Sequence, residues 1–182
     1  MLYGAHVSAA GGISKAIDRI AAIGGTCVQV FTQSPQMWRP TEHSEEQLAR
    51  FRARRRAARV RHVSCHALYL VNLASSDAEV RAKSLTALRS MMETAHAIEA
   101  DAVVFHAGSH LGYGFERAVG VVATAVRELL ELTTDRLWLC IENTAGAGGT
   151  IGRSVDELAA LVDAAGRHPR LGICIDSCHW WA

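Results

Sequence analysis

Six apolar runs of strand length, LYGAH (2–6), CVQVF (27–31), HVSCH (62–66), AVVFH (102–106), LWLCIE (137–142) and LGICID (171–176), alternate with five segments of helical period. This alternation constrains the fold more than any other feature of the chain. The intervening apolar positions recur at helical spacing: Ile13, Ile17 and Ile20; Leu48 and Phe51; Val80, Leu88, Met91, Ala95 and Ile98; Phe115, Val119, Val122, Val126 and Leu129; Leu158, Leu161 and Val162. Ser44 with Gln47, Ser76 with Glu79, and Ser154 with Glu157 form capping-box patterns that predict three helix starts. Apolar strands joined by helices must run parallel, because each helix carries the chain back across a sheet face before the next strand begins.

Polar residues separate an open sheet from a closed barrel. His6, His66, His106, Glu142 and Asp176 each stand at the C-terminal end of a different strand run. In a barrel all such ends ring one mouth, whereas an open sheet gathers its ligand at a switch point between two strands. The expected fold is therefore α/β, a TIM-type (β/α)8 barrel. A whole barrel takes about 250 residues. The 182 residues, with their six strand runs, predict one incomplete barrel domain over 1–182, truncated after about the sixth strand, with the C-terminal strands and helices absent.

Composition narrows the setting. A net charge of +1 gives no basic excess, so any nucleic-acid partner must be argued from local residues. The basic tract RFRARRRAARVR (50–61) is expected to be the solvated outer face of the second helix. Five cysteines, an odd number lying mostly in apolar runs, point to a reducing, cytoplasmic compartment. No signal-peptide pattern opens the chain, and no run approaches the roughly 18 apolar residues of a membrane span, so no membrane partner is expected.

Imidazole and carboxylate at converging strand ends are donors that suit zinc and similar ions. Side-chain alternation puts Glu142 on one face with Cys140, and Asp176 with Cys174 and Gly172, while Ile141, Ile173 and Ile175 face the helices. Bare buried carboxylates are costly without a cation or hydrogen bonds, and a metal cluster meets that need. A thiolate alternative, Cys174 and Cys178 with His179, has tolerable Cys-x3-Cys spacing but no second thiolate pair near it. AGAGG (145–149) lacks the Lys-Ser/Thr ending of a P-loop and predicts a tight turn after Glu142.

Five segments, GAHVSAAGG (4–12), CHALYLVNLAS (65–75), FHAGSHLG (105–112), IENTAGAGG (141–149) and CIDSCH (174–179), resemble in order and spacing the signatures of the endonuclease IV family of apurinic/apyrimidinic endonucleases. The resemblance implies a trinuclear zinc site that hydrolyses double-stranded DNA 5′ of abasic sites in base excision repair, leaving a 3′-hydroxyl and a 5′-deoxyribose phosphate. By motif, His66 and His106 look like ligands of one zinc, and Glu142 bridges it to a second where the attacking water is activated. Asp176 helps hold the second ion and His179 the third. His6 belongs behind the ligands, and His110 reads as a structural residue. Gln36, Trp38 and Tyr69 match loops that enter the DNA minor groove. Gln36 stands where the family commonly has arginine, and Trp38 also suits local packing.

The family pattern continues with further histidines, an aspartate and a glutamate that this sequence does not contain, so the three zinc sites are expected to be incomplete and the chain inactive alone. The complete enzyme is expected to be a monomer and the short chain to self-associate. Two other readings stand beside the endonuclease: a metal-dependent sugar isomerase or epimerase of similar barrel type, and a non-catalytic DNA- or zinc-binding remnant.

Overall fold

The computed structural model describes residues 1–182. Six strands, β1 (Gly4–His6), β2 (Cys27–Val30), β3 (His62–His66), β4 (Ala102–His106), β5 (Trp138–Glu142) and β6 (Leu171–Cys174), form one sheet whose strand order is the chain order. Every pairing is parallel. The helices are α1 (Lys15–Ala22), α2 (Glu45–Ala57), α3 (Ala78–Ala97), α4 (Phe115–Leu130), α5 (Val155–Ala164) and a short α6 (Ser177–Trp181), which the helical periodicity does not predict. None is long and apolar enough to cross a membrane.

Alternation along the strands gives the sheet two chemically different faces. Val28, Val30, Val63, Cys65, Val103, Phe105, Leu139 and Ile141 are buried in the same core as Ile17, Ile20, Phe51, Leu88, Met91 and Leu129 of the helices. Each such side chain contributes about 1.5–3 kcal/mol of transfer free energy. Gln29, Ser64, Val104, Cys140 and Cys174 line a cavity of about 500 Å³ on the opposite face. Ile141 lies under the helices as expected, but Ile173 and Ile175 are 39% and 50% exposed. The reason is position: β6 pairs with β5 alone.

Two helix starts differ from their sequence patterns. Ser44 caps α2 with a complete capping box, accepting from Gln47 N at 3.3 Å while Gln47 Oε1 accepts from Ser44 N at 2.9 Å. At α3 the cap is Asp77 in place of Ser76: its Oδ1 accepts from Glu79 N at 2.8 Å and Val80 N at 3.4 Å. A carboxylate there also complements the positive end of the helix dipole. At α5, Ser154 Oγ accepts from Glu157 N, but the Glu157 carboxylate turns back to accept from Gly152 N and Arg153 N, not from Ser154 N.

The basic tract is not uniformly solvated. Arg55 is 4% exposed and donates to Val60 O at 3.2 Å, to Arg61 O at 3.1 Å, to Asp101 Oδ2 at 2.6 Å and to the Glu99 carbonyl. Asp101 Oδ2 also accepts from Val63 N at 2.8 Å. One guanidinium thus ties the end of α2 to the starts of β3 and β4, at the pole away from the strand-end histidines.

Candidate metal centre

Three neighbouring strands deliver His66, His106 and Glu142 at their C-terminal ends, with His106 and Glu142 direct partners across β4 and β5. Glu142 is also the register partner of Cys174, two residues before Asp176. Asp176 caps α6, which carries His179. His66, His106 and Glu142 therefore form one set of donors whose ligand atoms lie within 4.8 Å of one another, and Glu142, Asp176 and His179 form a second. Glu142 belongs to both. Its Oε2 lies 2.8 Å from His66 Nε2 and 3.7 Å from His106 Nε2, and its Oε1 lies 3.7 Å from His179 Nδ1.

Electrostatics follow from this packing. Burial opposes charge on His66, but the hydrogen bonds to Glu142 and the Ala67 carbonyl outweigh it and raise its pKa. Burial also opposes ionisation of Glu142, yet the His66 bond and the charges of His106, His66 and His179 hold its pKa below the ordinary value. For His106 burial prevails over the pull of Glu142, and its pKa is lowered. Backbone N–H bonds from His179 and Cys178 lower that of Asp176.

The donor set fits a divalent ion. His66 Nδ1–H donates to Ala67 O at 2.8 Å, which aims Nε2 at Glu142 and leaves a proton where a cation could stand between them. His106 Nδ1 is buried without a hydrogen-bond partner. Neither Cys174 nor Cys178 joins a donor set. Burial, with Glu142 nearby, pushes the Cys174 thiol up to about 11, away from the thiolate a zinc ligand needs.

The other sequence-predicted residues lie outside both donor sets. His6 is exposed beside the centre, its ring centroid 4.4 Å from Phe31 and 6.1 Å from His66, and it enters neither donor set. Tyr69 is 66% exposed, with its ring 5.4 Å from Phe31 and its N–H donating to Pro35 O at 2.9 Å. Gln36 is exposed on the neighbouring loop, whereas Trp38 packs partly buried against the core. Sequence reasoning missed Phe31, the aromatic platform shared by His6, His66 and Tyr69, although it closes the second apolar run.

Three loops above the sheet interlock. Asn72 Oδ1 accepts from Ser109 N at 2.9 Å, Ser109 Oγ donates to Gly148 O at 2.6 Å, and His110 N donates to Gly149 O at 3.0 Å. His110 Nδ1 accepts from Gly112 N at 3.1 Å, in keeping with the structural part expected of it. The AGAGG segment makes a short 3-10 turn at Ala147–Gly149. Together the loops wall a cavity of about 500 Å³ that reaches His106 and His179.

Residues 17–182 match the family model of the xylose isomerase-like TIM barrel. The chain is 42% identical to a probable endonuclease 4 of Nitratidesulfovibrio vulgaris, over 98% of its own length and 63% of the relative. It is 37% identical to that of Citrifermentans bemidjiense, over 100% of its length and 64% of the relative. The solved endonuclease IV of Thermus thermophilus superposes with a TM-score of 0.87 at 35% identity, covering all of this chain and 64% of that one. A D-psicose 3-epimerase superposes with a TM-score of 0.75 at 15% identity, a likeness of fold alone. The chain thus spans less than two thirds of each of these proteins.

Proposed function

Because this chain belongs to the xylose isomerase-like TIM barrel family and resembles endonuclease IV along its length, we propose that the whole protein is a zinc-dependent endonuclease of base excision repair. Its substrate is double-stranded DNA, cut 5′ of an abasic site to leave a 3′-hydroxyl and a 5′-deoxyribose phosphate, and it works in the cytoplasm as a monomer. The observation that carries the reading is the position of Glu142, shared by two donor sets built from residues that the nuclease motifs single out.

His66, His106 and Glu142 would hold one zinc ion. Glu142 and Asp176 would contribute to a second and His179 to a third. Bound zinc supplies Lewis acidity, lowering the pKa of water and neutralising charge on the phosphate. The chain's own residues prepare that chemistry. Glu142 turns one oxygen toward His66 and His106 and the other toward His179, so a single carboxylate spans the centre. The Ala67 carbonyl fixes the tautomer of His66. Gln36 and Tyr69 are exposed on adjoining loops and would meet a DNA groove, while Trp38 packs against the core. Side chains inserted where a base is already missing lose less stacking than in intact duplex, which favours abasic sites.

The test is incision of a duplex carrying one tetrahydrofuran abasic analogue by the whole protein. We expect cleavage 5′ of the analogue, abolished by chelation and restored by zinc, with no turnover of ketoses. Epimerisation of a ketose without DNA incision would establish the sugar-enzyme reading instead.

A further inference from the structure

We propose that Asn143 is the positioning residue of the second donor set, holding both Asp176 and His179 in place; the metal part of this inference rests on the function proposed above. Asn143 follows Glu142 directly and is fully buried. The ladder between β5 and β6 closes with Asn143 N donating to Cys174 O at 3.2 Å. Beyond that point the side chain takes over. Its Oδ1 accepts from Asp176 N at 2.6 Å and its Nδ2 donates to Asp176 O at 3.0 Å, so one carboxamide pairs both main-chain groups of the ligand. The Asn143 carbonyl then accepts from His179 Nδ1 at 2.9 Å.

Every hydrogen bond named for this residue ends within residues 174–179, the segment that supplies Asp176 and His179. With its backbone held, Asp176 uses Oδ1 to cap α6, accepting from Cys178 N at 2.6 Å and His179 N at 3.1 Å, and keeps Oδ2 on the side of the His179 ring, 3.8 Å away. The bond from His179 Nδ1–H to the Asn143 carbonyl takes up the ring nitrogen that lies 3.7 Å from Glu142 Oε1 and 3.8 Å from Asp176 Oδ2, and leaves Nε2 as the ring's free donor. No bond from Asn143 reaches His66 or His106, so its influence is confined to one of the two donor sets.

Cobalt(II) titration of the 182-residue chain, read by d–d absorption, tests this in four forms: wild type, Asn143→Ala, His66→Ala and His179→Ala. Asn143→Ala should behave like His179→Ala, keeping uptake at the first set and weakening uptake at the ions that Asp176 and His179 would hold by about 10- to 100-fold, the usual effect of losing an outer-sphere partner. Uptake indistinguishable from wild type, or a pattern matching His66→Ala, would overturn the proposal. A second measurement does not depend on how the variant folds. Hydrogen exchange of the metal-free wild type, followed by mass spectrometry, should show a peptide over residues 174–181 protected; rapid exchange there would also overturn it. A protected peptide in a wild-type chain that binds no cobalt would sink the metal reading and leave the clamp standing.

Discussion

Glu142 is the residue on which the two donor sets depend together, and a substitution there should be felt by both. Glu142→Gln keeps the shape but removes the charge, so we expect metal affinity to fall by at least about tenfold at each set, whereas His66→Ala weakens only the first. Stepwise cobalt titration checks the difference. Cys65 supplies a pH test on the face of β3 opposite the donor His66. Full burial pushes its thiol from 9.0 up to about 12, so the folded chain keeps the proton that the unfolded chain gives up near pH 9. Its contribution to stability is therefore complete below pH 9 and is lost as pH rises toward 12. Thermal melts between pH 8 and 11 should show this decline, and Cys65→Ala should make it shallower, leaving the part due to Cys140 and Cys174, whose thiols burial pushes up to about 11. The donors themselves were legible because imidazoles and carboxylates at strand ends carry a chemical signal. Asn143 was not, because its importance lies in hydrogen bonds to the main chain of Asp176, more than thirty residues away.

At the scale of elements, the bounds of β3 and β4 coincide with their apolar runs, since a run buried on its helix-facing side leaves little choice of register. The joints between elements were less readable. Arg55 looked like part of a solvated basic face, yet its partners are three carbonyls and one carboxylate brought together only by the parallel sheet. Asp101→Ala would leave that guanidinium buried without its counter-charge and should cost about 3 kcal/mol in a denaturant titration. The loop lock is equally specific. Gly108 has φ +104°, and a Cβ there would collide with the Asn72 side chain and lie 2.7 Å from Asn72 Cα. Gly108→Ala should accordingly break the tie between Asn72 and Ser109 and speed hydrogen exchange in residues 107–112, while the β-strand core keeps its protection.

For the molecule as a whole, β1 and β6 each have a neighbour on one side only. Unpaired parallel edges beside exposed Ile173 and Ile175 are a template for association. The isolated chain should sediment above its 19.6 kDa monomer mass at tens of micromolar; a single monomeric species would contradict this. Parallel organisation was readable from the alternation of runs, and the polar strand ends pointed to the barrel architecture, but the exposure of β6 depends on what lies beside it in space.

The strand order carries one more consequence. Because each strand pairs with the one before it in the chain, no early strand must wait for a distant partner before its first ladder can form. Such a sheet can grow vectorially on the ribosome, one βα unit at a time, with the first donor set assembled as soon as β5 emerges and the second only after the turn into α6.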